Sequence, residues 1–176
     1  LPMFLYNMPV HTKVMIEPAT VATASEFPNI IGLKDSSANL VYLSLVQHAL
    51  QNKSEFSFLV GPEEITPHFI LMGGHGGVNG GANMFPKLYV DLYKAAAEKD
   101  FHRLFPLHRK VMQISDTIYR VGKYGSSIIK GIKCTLSIMD ICDDFLAEPF
   151  HRFKSEERSI IRENLRKLNI EGYEIE

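Results

Sequence analysis

Two residues carry the chemistry that this sequence offers, Lys34 and Tyr6, and each ends a short apolar run. Lys34 closes Asn29-Ile30-Ile31-Gly32-Leu33 and is followed by Asp35-Ser36-Ser37. Runs of this kind, rich in branched side chains and bounded by polar ones, predict buried strands. A lysine at such a strand end sets an amine at the mouth of a core. Amines withdrawn from water favour the neutral form, and a neutral amine attacks a ketone to give a Schiff base. Tyr6 closes Met3-Phe4-Leu5 and opens the turn Asn7-Met8-Pro9. Two strand ends, 28 positions apart, thus offer a nucleophile and a phenol to one site. The same residues also fit a plain reading, with the lysine capping a strand in solvent and the phenol hydrogen-bonded to backbone.

The elements that must position this pair alternate. Strands are predicted at 1–6, 30–34, 56–61 and 76–78, and helices at 17–26, 40–51, 64–72 and 85–99. Leu88, Leu92, Tyr93 and Ala96 show helical spacing in the last of these. Four strand–helix units argue for a parallel sheet with helices outside it. Three further helices are expected at 101–119, 126–139 and 155–168, with Ser126 and Ser155 as N-caps. The domain reading is therefore a βα region over 1–100 and a helical region over 101–176. The chain opens inside a strand, and a closed parallel barrel takes eight such units. The expectation is the second half of a (β/α)8 barrel. Reactive residues of such barrels sit at the C-terminal strand ends, where Tyr6, Lys34, Gly61, Val78 and Asn79 fall.

Composition narrows the class. With 176 residues and 45% hydrophobic side chains, a real core is affordable. The net charge of −1 gives no sign of a nucleic-acid or membrane partner. No apolar run is long enough to span a bilayer, and the first residues lack a signal-peptide pattern. Cys134 and Cys142 fit no zinc or redox spacing and are expected as free thiols in a reducing cytosol. The seven histidines form no metal pair. His68 and His75 are expected to be structural or exposed. No cofactor and no metal are expected.

Three motifs in this order and spacing carry a resemblance: Tyr6-Asn7-Met8-Pro9, Gly32-Leu33-Lys34-Asp35-Ser36-Ser37, and the glycine-rich stretch from Gly73 to Asn83. The chain resembles the dihydrodipicolinate synthase/N-acetylneuraminate lyase family of class I aldolases, across its whole length. The resemblance implies a (β/α)8 barrel with extra C-terminal helices, of which this chain covers the last four units and those helices. It implies that Lys34 forms the Schiff base with a 2-keto acid such as pyruvate and that Tyr6 passes protons. Gly61, Val78 and Asn79 match positions near the bound keto acid, and Ser36 matches a common hydroxyl position. Ser36 also fits a helix N-cap. A homo-oligomer, dimer or tetramer, follows from the same resemblance.

Two departures bear on substrate. His11 stands where true dihydrodipicolinate synthases carry an arginine, and a histidine lacks the bidentate fork. Glu63 and Glu64 follow Gly61-Pro62, as an acidic pair follows the matching glycine in N-acetylneuraminate lyases, and carboxylates accept bonds from sugar hydroxyls. The same pair fits a solvated first helical turn. Together these favour a lyase acting on a sugar-derived 2-keto acid, with the synthase of lysine biosynthesis as the alternative. An inactive fragment, lacking the hydroxyl loop and second tyrosine of the family's first half, is the remaining reading.

Overall fold

The computed structural model describes residues 1–173. Within them the chain divides into two compact units, one of Leu1–Gly80 with Val90–Leu104, the other of Gly81–Tyr89 with the residues from Phe105 on.

The first unit is built on four parallel strands in the order β1 (Met3–Asn7), β2 (Ile30–Asp35), β3 (Ser57–Val60) and β4 (Gly76–Gly77). Between them run α1 (Pro9–Thr12), α2 (Pro18–Ala24), α3 (Leu40–Ala49) and α4 (Thr66–Leu71), and α5 (Pro86–Ala97) follows β4. The expected alternation of strand and helix is thus present, and neighbouring strands are consecutive in sequence. The reason is the side-chain pattern. On one sheet face Leu33, Phe58 and Val60 are buried and join Val21 of α2, Tyr42, Leu43 and Val46 of α3, and Phe69 of α4 in one core. Burial of each large apolar side chain contributes about 1.5–3 kcal/mol. Leu43 and Val46 of α3 and Leu50, just past its end, form the buried stripe. The start of α3 is fixed by Asn39, whose side-chain oxygen accepts the Tyr42 N–H at 3.0 Å.

Element ends depart from expectation where local bonding takes over. A 3-10 turn, Glu63–Ile65, precedes α4, so Glu64 stands before the helix rather than in it. β4 is two residues long because the chain ahead of it is held by a side chain. His75 Nδ1 accepts the Phe58 N–H at 3.0 Å, the His75 N–H donates to Phe58 O at 2.9 Å, and the imidazole stacks on the Phe58 ring. His75 is therefore structural.

The second unit holds most of α6 (Phe101–Thr117), all of α7 (Ser127–Ile138) and α8 (Ser155–Leu168). Gly131 lets α7 come close to the end of α6, since a Cβ there would lie 2.7 Å from Ile118 O. Asn164 Nδ2 donates to Thr117 O at 2.8 Å, and Ile161, Leu165 and Leu168 form the buried stripe of α8. Arg158 joins α8 to Asp144 and to Ser137 of α7, at 3.2 and 3.1 Å. The two expected serine caps are not made. Ser126 stands at the N-cap position in helical conformation without a side-chain bond. Ser155 is the first residue of α8, and the carboxylate of Glu157 accepts the Lys154 N–H at 3.0 Å instead. Both cysteines are unpaired, Cys142 exposed and Cys134 buried, with burial pushing the Cys134 thiol up to about 11. Among the described residues no helix is long and apolar enough to cross a membrane.

Candidate active site

The parallel register sets Tyr6 beside Lys34, and Lys34 beside Leu59. Side chains alternate across a strand, so Tyr6 and Lys34 project from the sheet face opposite to Leu33 and its helical cover. The Lys34 Nζ lies 4.3 Å from the centre of the Tyr6 ring. Two residues beyond Lys34, the Ser36 hydroxyl donates to the Tyr6 phenol oxygen at 3.4 Å. That bond is the main influence drawing the phenol below its ordinary value; partial burial opposes it, and Lys34 adds to it. The arrangement brings an amine, a phenol of raised acidity and a hydroxyl to one strand-end cluster. Amine addition to a ketone, with proton transfer through the phenol, needs groups of these types.

Below this cluster the strand ends are stitched together. The Ser36 N–H donates to Asn7 O at 2.8 Å, Gly61 N–H to Asp35 O at 2.7 Å, and Val78 N–H to Val60 O at 2.8 Å. A Cβ at Gly61 would meet Ser36 Oγ at 2.2 Å, so a larger residue there would displace that hydroxyl. The Ser36 hydroxyl thus bonds the Tyr6 phenol, and the cap of α3 is made by Asn39.

The remaining predicted residues divide. His11 is exposed on α1, just after the end of β1. Val78 is 49% exposed next to β4. Asn79 turns its amide inward, donating to Gly61 O and Thr66 Oγ1, both at 2.9 Å, so its donors are taken up by the protein. Glu63 is buried at 3% exposure, whereas Glu64 is half-buried. Among the described residues no three His, Cys, Asp or Glu side chains stand close enough to hold a metal ion. A cavity of 320 Å³ is lined by Phe27, Ile30, Ile31, Lys53 and Phe56, and none of the predicted site residues borders it.

Sequence reasoning missed what lies behind the pair. Asn7 and Asp35 directly follow Tyr6 and Lys34, so they point to the opposite face, and both are fully buried. Asn7 Nδ2 donates to Asp35 Oδ1 at 2.7 Å and lies 3.1 Å from the Met15 sulfur, while Asn7 Oδ1 accepts the Ile16 N–H at 3.0 Å. Asp35 Oδ2 accepts the Ser37 hydroxyl at 2.8 Å and the Ser37 N–H at 3.2 Å. Burial raises the Asp35 carboxyl above its ordinary range against the pull of these bonds. The signal was available: a polar residue at the same register in two neighbouring strands, on the face that is otherwise apolar.

Fold and site together define a parallel βα protein with a lysine–tyrosine pair at adjacent strand ends. The pattern of the Dihydrodipicolinate synthetase family matches residues 1–168, and the chain belongs to that family. It is 34% identical over 120 residues to a 4-hydroxy-tetrahydrodipicolinate synthase of Neisseria gonorrhoeae, covering 68% of this chain and 40% of that protein. The solved dihydrodipicolinate synthase of Bacteroides thetaiotaomicron is 56% identical, with a TM-score of 0.92 over 95% of this chain and 56% of that one. YagE of Escherichia coli K12, a prophage protein of the dihydrodipicolinic acid synthase family solved in complex with pyruvate, is 25% identical, with a TM-score of 0.86 over 96% of this chain and 56% of that one. The chain thus spans about half the length of these relatives. Its four βα units and C-terminal helices are part of the TIM-barrel fold of that family.

Proposed function

We propose that this chain supplies the Schiff-base half of a class I pyruvate-type aldolase site, and that the reaction served is the condensation of pyruvate with aspartate semialdehyde. The observation that carries the Schiff-base reading is the contact of Lys34 with Tyr6 at adjacent strand ends. In its neutral form the Lys34 amine adds to the keto carbon of pyruvate, and water leaves as the iminium forms. The iminium draws electrons from the neighbouring methyl carbon, which loses a proton and becomes the nucleophile toward the aldehyde. Tyr6 moves protons between these groups. The synthase assignment is supported by the names of the relatives, the N. gonorrhoeae protein at 34% identity and the B. thetaiotaomicron protein at 56%. This reverses the preference drawn from His11 and the acidic pair. Glu63 is buried, which weakens its case as an acceptor for sugar hydroxyls.

Cleavage of a sugar-derived 2-keto acid is the second reading. It is favoured by His11, exposed and without a guanidinium fork, and by the half-buried Glu64. Both reactions are to be assayed side by side in the protein carrying this chain. Faster condensation supports the synthase, and faster sugar-acid cleavage overturns it. Borohydride with pyruvate should label Lys34, and Lys34→Ala should abolish the label with the fold intact. Mass-spectrometric label on another lysine would reject the nucleophile. A homo-oligomeric cytoplasmic enzyme that acts on small 2-keto acids is the setting this reading implies, and sedimentation tests the assembly.

A further inference from the structure

We propose that Asn7 and Asp35 form a positioning pair whose buried hydrogen bond holds the ends of β1 and β2 in the register that sets the Tyr6 phenol against Lys34 and Ser36. This role rests on the reading of Tyr6 and Lys34 as the reacting pair.

Register is the first argument. The β1–β2 ladder is irregular between Met3 and Phe4, where the partner on β2 jumps from Ile30 to Gly32. Beyond that break only four residue pairs remain, and the last is Asn7 with Asp35. A slip of one residue would turn Tyr6 or Lys34 to the opposite face of the sheet. A side-chain bond between the last pair blocks that slip at the point where the ladder ends.

Orientation is the second. Asn7 cannot be reversed without loss, because its Oδ1 accepts the Ile16 N–H while its Nδ2 donates to Asp35. Ile16 is itself fixed, since its carbonyl accepts the Tyr42 phenol of α3 at 2.7 Å. Asp35 is held from its other side by Ser37. The two strand ends, the loop after α1 and the first turn of α3 thus bear on one buried contact.

Cost is the third. An apolar pair at this place would fit the surrounding core, and a buried carboxyl is the less stable choice. Buried polar groups are best attested as devices that fix register. Among the described residues, Lys34 and Tyr6 flank the pair on the far face of the sheet, and Tyr42 of α3 feels both Asp35 and Glu17, which stands ahead of α2. Burial, then Asp35, then Glu17 push the Tyr42 phenol up to about 12, so it stays a hydrogen-bond donor.

The test uses Asn7→Ala and Asn7→Asp in the protein carrying this chain. One readout is the titration of the Tyr6 phenol, followed by NMR of ring-labelled tyrosine. The others are kcat and KM for pyruvate, and borohydride trapping. Asn7→Ala should move the Tyr6 midpoint up toward the ordinary value of about 10. It should lower kcat about 10- to 100-fold, the scale of a small misplacement, with KM for pyruvate little changed and trapping still at Lys34. Asn7→Asp should keep kcat near wild type in acid, where the two carboxyls share one proton, and lose it as pH rises and they repel. If Asn7→Ala fails to fold, the Asn7→Asp profile decides. An unmoved Tyr6 midpoint, or an Asn7→Asp profile parallel to wild type, overturns the proposal even if thermal stability falls. The two readings fail separately. A wild-type protein that traps no pyruvate at Lys34, yet shifts its Tyr6 midpoint in Asn7→Ala, defeats the lyase reading and leaves the pair's hold on the Tyr6–Lys34 contact in place.

Discussion

Tyr6 is tuned chiefly by a serine two residues beyond the lysine. The Ser36 hydroxyl is the first cause of the lowered Tyr6 phenol, with Lys34 acting in the same sense and burial against it. Ser36→Ala should therefore raise the Tyr6 midpoint. Gly61→Ala should do the same from a distance, because its Cβ would occupy the place of the Ser36 hydroxyl. Titration of Tyr6 by ring-labelled NMR checks both, and a fall or no movement in Ser36→Ala counts against the hydroxyl's role. Asp35 yields a second expectation. Burial lifts its carboxyl above the ordinary range, so the folded state holds that proton more tightly than the unfolded chain. The stability this contributes is full below the ordinary carboxyl range and is lost as pH rises through the raised value. Urea midpoints of the wild type across that window should fall with pH relative to those of Asp35→Asn, which lacks the titrating group. A polar residue that ends an apolar run marks a strand end, and the register sets two such residues, Tyr6 and Lys34, side by side. What the runs did not show was direction. Asn79 and Glu63 also follow strand ends, but one bonds inward and the other is buried.

At the scale of elements, periodicity carried the strands and helices, and hydrogen bonds of single side chains set their limits. Leu43, Val46 and Leu50 form a buried stripe, but the start of α3 depends on Asn39, an exposed residue with no apolar signal. Removing that cap tests the point. Asn39→Ala should destabilise the fold by about 1 kcal/mol, the usual worth of such a side chain, read as a lower urea midpoint with unchanged slope. A loss well below that would mean the first turn is held by Tyr42 and Leu43 in the core rather than by its cap. The same logic explains the misplaced serine caps. Ser126 and Ser155 carry the right hydroxyl, but Ser126 has helical backbone and makes no cap bond, and α8 opens behind Lys154, whose N–H is taken by Glu157. The short β4 has a comparable cause, because glycines give no alternation to read and the imidazole of His75 holds the backbone ahead of it.

For the molecule as a whole, the motif spacing was more informative than any single motif. Tyr6-Asn7-x-Pro9, Gly32-x-Lys34 and the glycine stretch fall at β1, β2 and β4 of one sheet, and the family pattern extends over residues 1–168. In the sheet of the first unit β1 and β4 are the outer strands among the described residues. β1 exposes Met3 at 49%, Phe4 at 41% and Tyr6 at 50%. An outer strand with apolar side chains and free backbone groups is a template for pairing with another chain. The polypeptide of 176 residues, prepared by itself, should therefore bind an apolar dye and associate more as its concentration rises. Met3→Lys should reduce both effects, because a lysine on an outer strand penalises edge-to-edge pairing and Met3 lies ahead of the four pairs that hold Tyr6 against Lys34. Sedimentation at several concentrations is the measurement. Equal association of wild type and Met3→Lys would place the self-contact away from β1.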